Sequence, residues 1–202
     1  MTNVNLAIIY YSSTGTNYQF ARWAEEAGKA AGANVRVSKV QELASDTAID
    51  SNPAWRAHVD ATQDVPVATS EDLEWADAII FSTATRFGAM ASQMKQFLDT
   101  QGGLWAKGGL VNKVVSAMAS ANNLHGGQEA SILSLYTSLM HWGAIIVPPG
   151  YTDEQLFATG GNPYGTSVTL DEEGNMQTDV KPAVEIQTKR TIDIAARIKA
   201  GE

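Results

Sequence analysis

The sequence predicts an α/β fold, an open and doubly wound parallel sheet with helices on both faces. Three observations predict it. Apolar runs of strand length alternate along the chain with stretches of helical periodicity, an order that calls for parallel strands joined by right-handed crossovers. The run Ala78-Ile79-Ile80-Phe81 is apolar at every position, as in a strand covered on both sides. Three strands lead directly into loops rich in hydroxyls, amides and glycine, at the edge where such sheets bind ligands.

Residues 4–11 read as the first strand, and Ser12-Ser13-Thr14-Gly15-Thr16-Asn17 carries it into a helix over residues 16–32. Phe20, Ala24, Ala27 and Ala31 recur at helical spacing on one face of that helix, and Gly32 ends it. Val35 and Val37 alternate with polar neighbours in a second strand that runs on to Val40. Residues 41–68, rich in Ala, Asp, Ser, Thr and Pro, form an excursion of the kind that is functional when it occurs inside a compact domain. Ser70 caps a short helix through Trp75, ahead of the third strand at 78–81. The loop Ser82-Thr83-Ala84-Thr85-Arg86-Phe87-Gly88 follows, then a helix carrying Met90, Met94, Phe97 and Leu98. Residues 113–118 give the fourth strand, and Ser120-Ala121-Asn122-Asn123-Leu124-His125-Gly126-Gly127 the third loop. A helix over 128–141 shows Ile132, Leu135 and Leu139, and residues 144–147 form the fifth strand, stopped by Pro148-Pro149-Gly150. A second excursion spans 150–181, and a closing helix over 183–199 carries Ile186, Ile194 and Ile198.

At 202 residues the chain is most simply a single domain, residues 1–202, large enough to bury a core. It is 44% apolar and 18% charged, within the globular range, and no apolar run approaches the ~18 residues of a membrane span. The start Met1-Thr2-Asn3 shows no basic and apolar leader, which makes the cytoplasm the expected location. With no cysteine, the chain has no disulfide, thiolate metal site or thiol catalysis, so redox chemistry would come from a borrowed cofactor or another kind of metal site. A net charge of -8 opposes binding to nucleic acid or an anionic membrane surface.

Ser12 to Asn17 has the make-up of a phosphate cradle. Amides at a helix start favour an anion, and hydroxyls with a permissive Gly let its oxygens come close. No Gly-Lys-[Ser/Thr] ending or Gly-x-Gly-x-x-Gly is present for a triphosphate or a dinucleotide, so a monophosphate fits better. A turn that only caps its helix is the plainer alternative. The three loops would meet at the carboxyl edge of a five-stranded sheet in the flavodoxin-like order 2-1-3-4-5, whose switch point is a site for FMN.

The chain resembles the WrbA type of flavodoxin-like NAD(P)H:quinone oxidoreductases over nearly its whole length. The resemblance is carried by Tyr10-Tyr11-Ser12, Thr85-Arg86-Phe87-Gly88, Gln93-Met94, Phe97-Leu98-Asp99, Gly102-Gly103-Leu104-Trp105, Gly126-Gly127-Gln128-Glu129, Val147-Pro148 and Pro163-Tyr164-Gly165. It implies that Ser12, Ser13, Thr14, Gly15, Thr16 and Asn17 surround the FMN phosphate. Thr85, Arg86, Phe87 and Gly88 would flank the flavin ring, with Ser120, Ala121, Asn122, Asn123, Leu124, His125 and Gly126 on its other edge. Trp105 and His141 look like the family's tryptophan and histidine beside the substrate pocket, which Phe87 also lines, and His141 is counted with the cofactor as well. The activity implied is two-electron reduction of a quinone by NAD(P)H through FMN, with ping-pong kinetics, no catalytic side chain and a homotetrameric assembly. The chain departs from the family where Thr14 and Thr16 replace an aromatic residue and a histidine, and in the segment 120–126.

The residues leave alternatives. Arg86 can pair with a surface carboxylate, Phe87 and Trp105 can be core aromatics, and His141 can complement a helix dipole. His58 and His125 lack supporting spacing, so no metal is expected. A flavodoxin-type carrier of single electrons to protein partners, and a partner-binding protein that has lost the flavin, are the competing functions.

Overall fold

The apolar runs pair as a parallel sheet in a computed structural model that describes residues 3–201. Met1, Thr2 and Glu202 lie outside the described residues. Strand β1 (Asn5–Tyr10) leads into α1 (Thr16–Ala30) and β2 (Asn34–Lys39), followed by α2 (Asp46–Asp50), α3 (Pro53–Ala61) and α4 (Ser70–Trp75). Then come β3 (Ala78–Arg86), β4 (Ala89–Met90), α5 (Ser92–Asp99), α6 (Gly102–Ala106), β5 (Val114–Ala121) and α7 (Gln128–Met140). The chain closes with β6 (Ile145–Ile146), α8 (Gln155–Ala158), β7 (Ser167–Thr169) and α9 (Lys181–Ala200).

The main path of the sheet is β2-β1-β3-β5-β6, all parallel, the expected five-strand order once the short additions are set aside. The additions are β4, antiparallel to β3, and β7, parallel to β5. β6 pairs with the start of β5 and β7 with its end, so two short strands share one edge. Alternation along β1 divides the core. Ala7, Ile9 and Tyr11 enter a cluster with Met94 and Phe97 of α5 and Leu135 of α7, while Leu6, Ile8 and Tyr10 pack with Phe20 of α1 and Val184 of α9. The helices thus form one layer on each face of the sheet. Among the described residues, no helix is long and apolar enough to cross a membrane.

Several expected boundaries move. The third strand continues to Arg86 because β4 folds back onto it, which places Met90 in a strand and not in a helix. The excursion over 41–68 contains α2 and α3, whose N-caps Ser45 and Asn52 accept hydrogen bonds from backbone N–H groups of the first turn. Thr69, not Ser70, caps α4, with Asp72 accepting from the Thr69 N–H at 3.0 Å. The second excursion returns through β7 and is tied to the sheet by Gln187 of α9.

Candidate functional site

The phosphate loop begins where β1 ends. The Ser12 hydroxyl oxygen accepts from the Gly15 N–H at 2.9 Å, and Gly15 takes φ +104°, a left-handed conformation open to glycine. Gly15 is the N-cap of α1, no side chain caps the helix, and its first turn holds no acidic residue. The first amides of a 15-residue helix are therefore left for an outside acceptor, at the positive end of its dipole. Beneath the loop, the buried Asn17 carboxamide closes four bonds. Its nitrogen donates to Ser82 Oγ and the Thr83 carbonyl (3.0 and 3.2 Å), and its oxygen accepts from the Ala84 N–H and Ser120 Oγ (3.1 and 2.9 Å). Asn17 thereby fastens the loop to β3 and β5, two strands that lead to the other walls.

The second wall is a hairpin. Phe87 and Gly88 form the two-residue turn between β3 and β4 with φ of +51° and +76°, the sign required at both positions of the turn that suits strand twist. Glycine adopts this freely and asparagine tolerates it, whereas phenylalanine is strained there. The Phe87 ring is also fully exposed, at 106% of its reference area. A strained turn that holds an apolar ring in solvent points to a ring-shaped ligand. Beside it, Arg86 Nη2 donates to Ser13 Oγ at 3.3 Å and so joins the hairpin to the phosphate loop.

The third wall is the segment after β5. A Cβ on Gly127 would lie 2.7 Å from Gly88 Cα, and Gly127 has φ +88°, so the two loops meet backbone to backbone. Gln128 Nε2 holds the loop by donating to the Asn123 carbonyl and Thr169 Oγ1, both at 3.1 Å.

The walls enclose an open cavity of about 710 Å³, lined by Ser12, Ser13, Thr14, Thr16, Asn17, Thr85, Arg86, Phe87, Gly88, Ser120, Ala121, Asn122, Asn123, His125 and Gly126 among others. Its size suits a drug-sized cofactor. Inside it the Thr85 hydroxyl is buried without any partner, a donor that a bound polar group would satisfy. The free amides of α1, this hydroxyl and the strained aromatic turn fit a ligand with a phosphate at one end and a flat ring at the other. FMN meets that description.

Not every expected residue reaches the cavity. Leu124 lines an adjacent cavity of about 570 Å³. Trp105 and His141 are brought to each other, with Trp105 Nε1 donating to the His141 carbonyl at 3.0 Å, but neither lines the cavity of its own chain. Trp105 is 55% exposed, so it is not a core aromatic. Two cavity residues, Asn52 and Trp55, come from the excursion at α3, and the sequence reading missed them. The Asn52-Pro53 pair was a usable helix-start signal, but nothing local told which way α3 would face. His58, also on α3, stands against the phosphate loop, with Nδ1 3.7 Å from where a Gly15 Cβ would be. Burial, then the Lys39 charge, hold its imidazole below the ordinary histidine range.

A family model, NADPH-dependent FMN reductase, matches residues 4–155. The chain belongs to that family. Its curated relatives include an NAD(P)H dehydrogenase (quinone) of Deinococcus radiodurans, 52% identical over 195 residues that cover 96% of this chain and 97% of the relative. Another protein of the same description, from Brucella abortus, is 40% identical over 201 residues, covering 96% and 98%. Among solved structures, a flavodoxin, WrbA-like protein from Agrobacterium tumefaciens superposes with a TM-score of 0.68 over 96% of this chain and 99% of its own, at 18% identity. The structural likeness shows the flavodoxin-like fold, and the curated relatives bear out the resemblance read from the motifs.

Proposed function

We propose that the protein is an oxidoreductase that reduces quinones with NAD(P)H through bound FMN, in two-electron steps. The observation that carries this reading is the convergence of three loops on one cavity, with a phosphate cradle in one wall and a strained, exposed aromatic turn in another. Family membership and relatives named for NAD(P)H and quinone support it. FMN supplies the hydride chemistry, so the polypeptide needs no nucleophile of its own.

The chain's residues bind and orient. The α1 amides and the hydroxyls of Ser12, Thr14 and Thr16 hold the phosphate, and the buried Thr85 hydroxyl hydrogen-bonds the cofactor. The Arg86 guanidinium favours negative charge gathering at the ring edge, and Phe87 presents a flat apolar surface to donor and acceptor. Residues Ser120 to Gly126 close the far edge, mainly with backbone groups. A single cavity makes donor and acceptor take turns, which gives ping-pong kinetics. We further propose a homotetramer. Trp105 and His141 lie outside their own cavity, beside Met140 at 60% exposure, and a second copy seated on this surface brings them to a neighbouring site. Cytoplasmic NAD(P)H is the expected donor pool.

The test is an FMN titration of the purified protein, then anaerobic addition of NADH, then benzoquinone. Saturable binding, bleaching by NADH, colour return with quinone and parallel double-reciprocal plots are expected. A flavin that NADH does not bleach, but a protein partner does, would instead establish the single-electron carrier. Light scattering at four times the chain mass checks the assembly.

A further inference from the structure

A second cavity adjoins the phosphate loop. It measures about 300 Å³, at the lower end for ligand sites, and Ser12 lines both it and the larger cavity described above. Its floor is the carboxyl end of β1 and β2, where Tyr10 and Lys39 are register partners, so their side chains leave the sheet on the same face. Its outer wall is the last turn of α3, through His58, Val59 and the C-cap Thr62.

Two donors in this cavity want an acceptor. The Tyr10 hydroxyl is buried, in a residue only 1% exposed, and has no hydrogen-bond partner among the described residues. A buried phenol left unpaired is a cost that the fold alone gives no reason to keep. The Lys39 ammonium donates one N–H to the Thr62 carbonyl and has two more to give. Burial lowers its pKa, and the Asp64 charge, which partly offsets this, acts from beyond ion-pair distance. The carboxylate in the wall, Glu42, is already engaged. It accepts from Gln93 Nε2 (2.7 Å), the Tyr11 hydroxyl (3.2 Å), Trp55 Nε1 (3.1 Å) and the backbone N–H groups of Leu43 and Ala44 (2.9 and 3.0 Å). His58, whose imidazole is held below the ordinary range by burial and then by Lys39, adds no rival charge at neutral pH. We infer that this cavity binds a small monocarboxylate with an apolar body. One carboxylate oxygen accepts from the Tyr10 hydroxyl, the other pairs with Lys39, and Val40, Val59 and Val67 surround the rest of the molecule. An uncharged ligand leaves the half-buried ammonium uncompensated, and a phosphate dianion sets a second negative charge beside Glu42. The inference does not rest on the function proposed above.

The experiment is a titration of the purified protein with benzoate, followed by ligand-observed NMR and repeated with FMN present to fill the larger cavity. Saturable binding with a dissociation constant on the order of 1 mM is expected in both cases, and none with benzyl alcohol, the uncharged counterpart. Tyr10→Phe keeps the ring and removes the hydroxyl, and is expected to weaken benzoate about tenfold. Lys39→Gln keeps a donor for the Thr62 carbonyl without the charge, and is expected to abolish saturation. Should either variant fail to fold, Val59→Trp fills the cavity from its outer wall and carries the expectation of lost binding. No saturation by benzoate, equal binding of benzyl alcohol, preference for inorganic phosphate, displacement by FMN, or affinity unchanged in the folded variants would each overturn the inference.

Discussion

At the scale of single residues, two positions sacrifice stability for the site, and each can be read out by removing the sacrifice. The Thr85 hydroxyl is buried and unpartnered in the free protein, which costs on the order of 1 to 3 kcal/mol. Thr85→Val keeps the shape and removes the orphan, so the flavin-free protein is expected to be as stable as wild type or slightly more so in urea, while FMN affinity falls about tenfold by titration. Phe87 sits at φ +51° in a turn that favours asparagine. Phe87→Asn is expected to raise the apo-protein's stability by about 1 kcal/mol and to raise the KM for benzoquinone, a combination that separates strain from binding. That Ser12, Ser13, Thr14, Arg86 and Phe87 gather at one edge of the sheet was legible in the sequence because each segment directly follows an apolar strand, and the structure lines one cavity with them. Trp55 was not legible, since a lone tryptophan in an Ala- and Asp-rich stretch carries no periodicity until α3 fixes its direction.

Among the elements, the buried Gln187 of α9 ties the second excursion to the sheet. Its Oε1 accepts from the Thr166 N–H and hydroxyl, both at 2.7 Å, and its Nε2 donates to Ser116 Oγ and the Ala117 carbonyl at 2.6 and 2.8 Å. Gly165 next to it packs without a side chain, since a Cβ there would lie 2.1 Å from the Ala117 oxygen. Gln187→Leu leaves the buried Thr166 N–H and hydroxyl without the acceptor they share, so a loss of about 3 kcal/mol in urea unfolding and faster proteolytic cleavage within residues 150–181 are expected. The five parallel strands were readable because four are short apolar runs and β2 alternates apolar with polar residues, with stretches of helical periodicity between them. β4 and β7 were not, because strands of two and three residues exist only through partners far along the chain or across a turn. The helices α2 and α3 hid behind a composition poor in large apolar residues, although Ser45 and Asn52 stood ready as caps.

For the whole molecule, buried tyrosines set the alkaline limit. Burial pushes the Tyr136 hydroxyl up to about 12, and Tyr10 and Tyr11 are raised further, Tyr10 by burial and then Tyr18, Tyr11 by burial and then the Glu42 charge. A folded pKa above the unfolded value of about 10 means that the unfolded chain loses its protons first. Stability is therefore full below pH 10 and falls as pH rises toward 12, by up to about 1.4 kcal/mol per pH unit for each such tyrosine. Tyr136 donates to the Tyr164 carbonyl at 2.7 Å and accepts from the Ala117 N–H at 3.1 Å, so Tyr136→Phe is expected to lower stability at neutral pH by about 2 kcal/mol yet flatten the alkaline slope. Urea titrations at pH 8, 10 and 11 measure both effects. At the borders of the sheet, one margin is β2, which carries Arg36 and Lys39, and the other is divided between β6 and β7. Among the described residues, then, one border is charged and the other is broken into two short pieces, and neither gives a stray strand a long, uncharged row of backbone groups to copy.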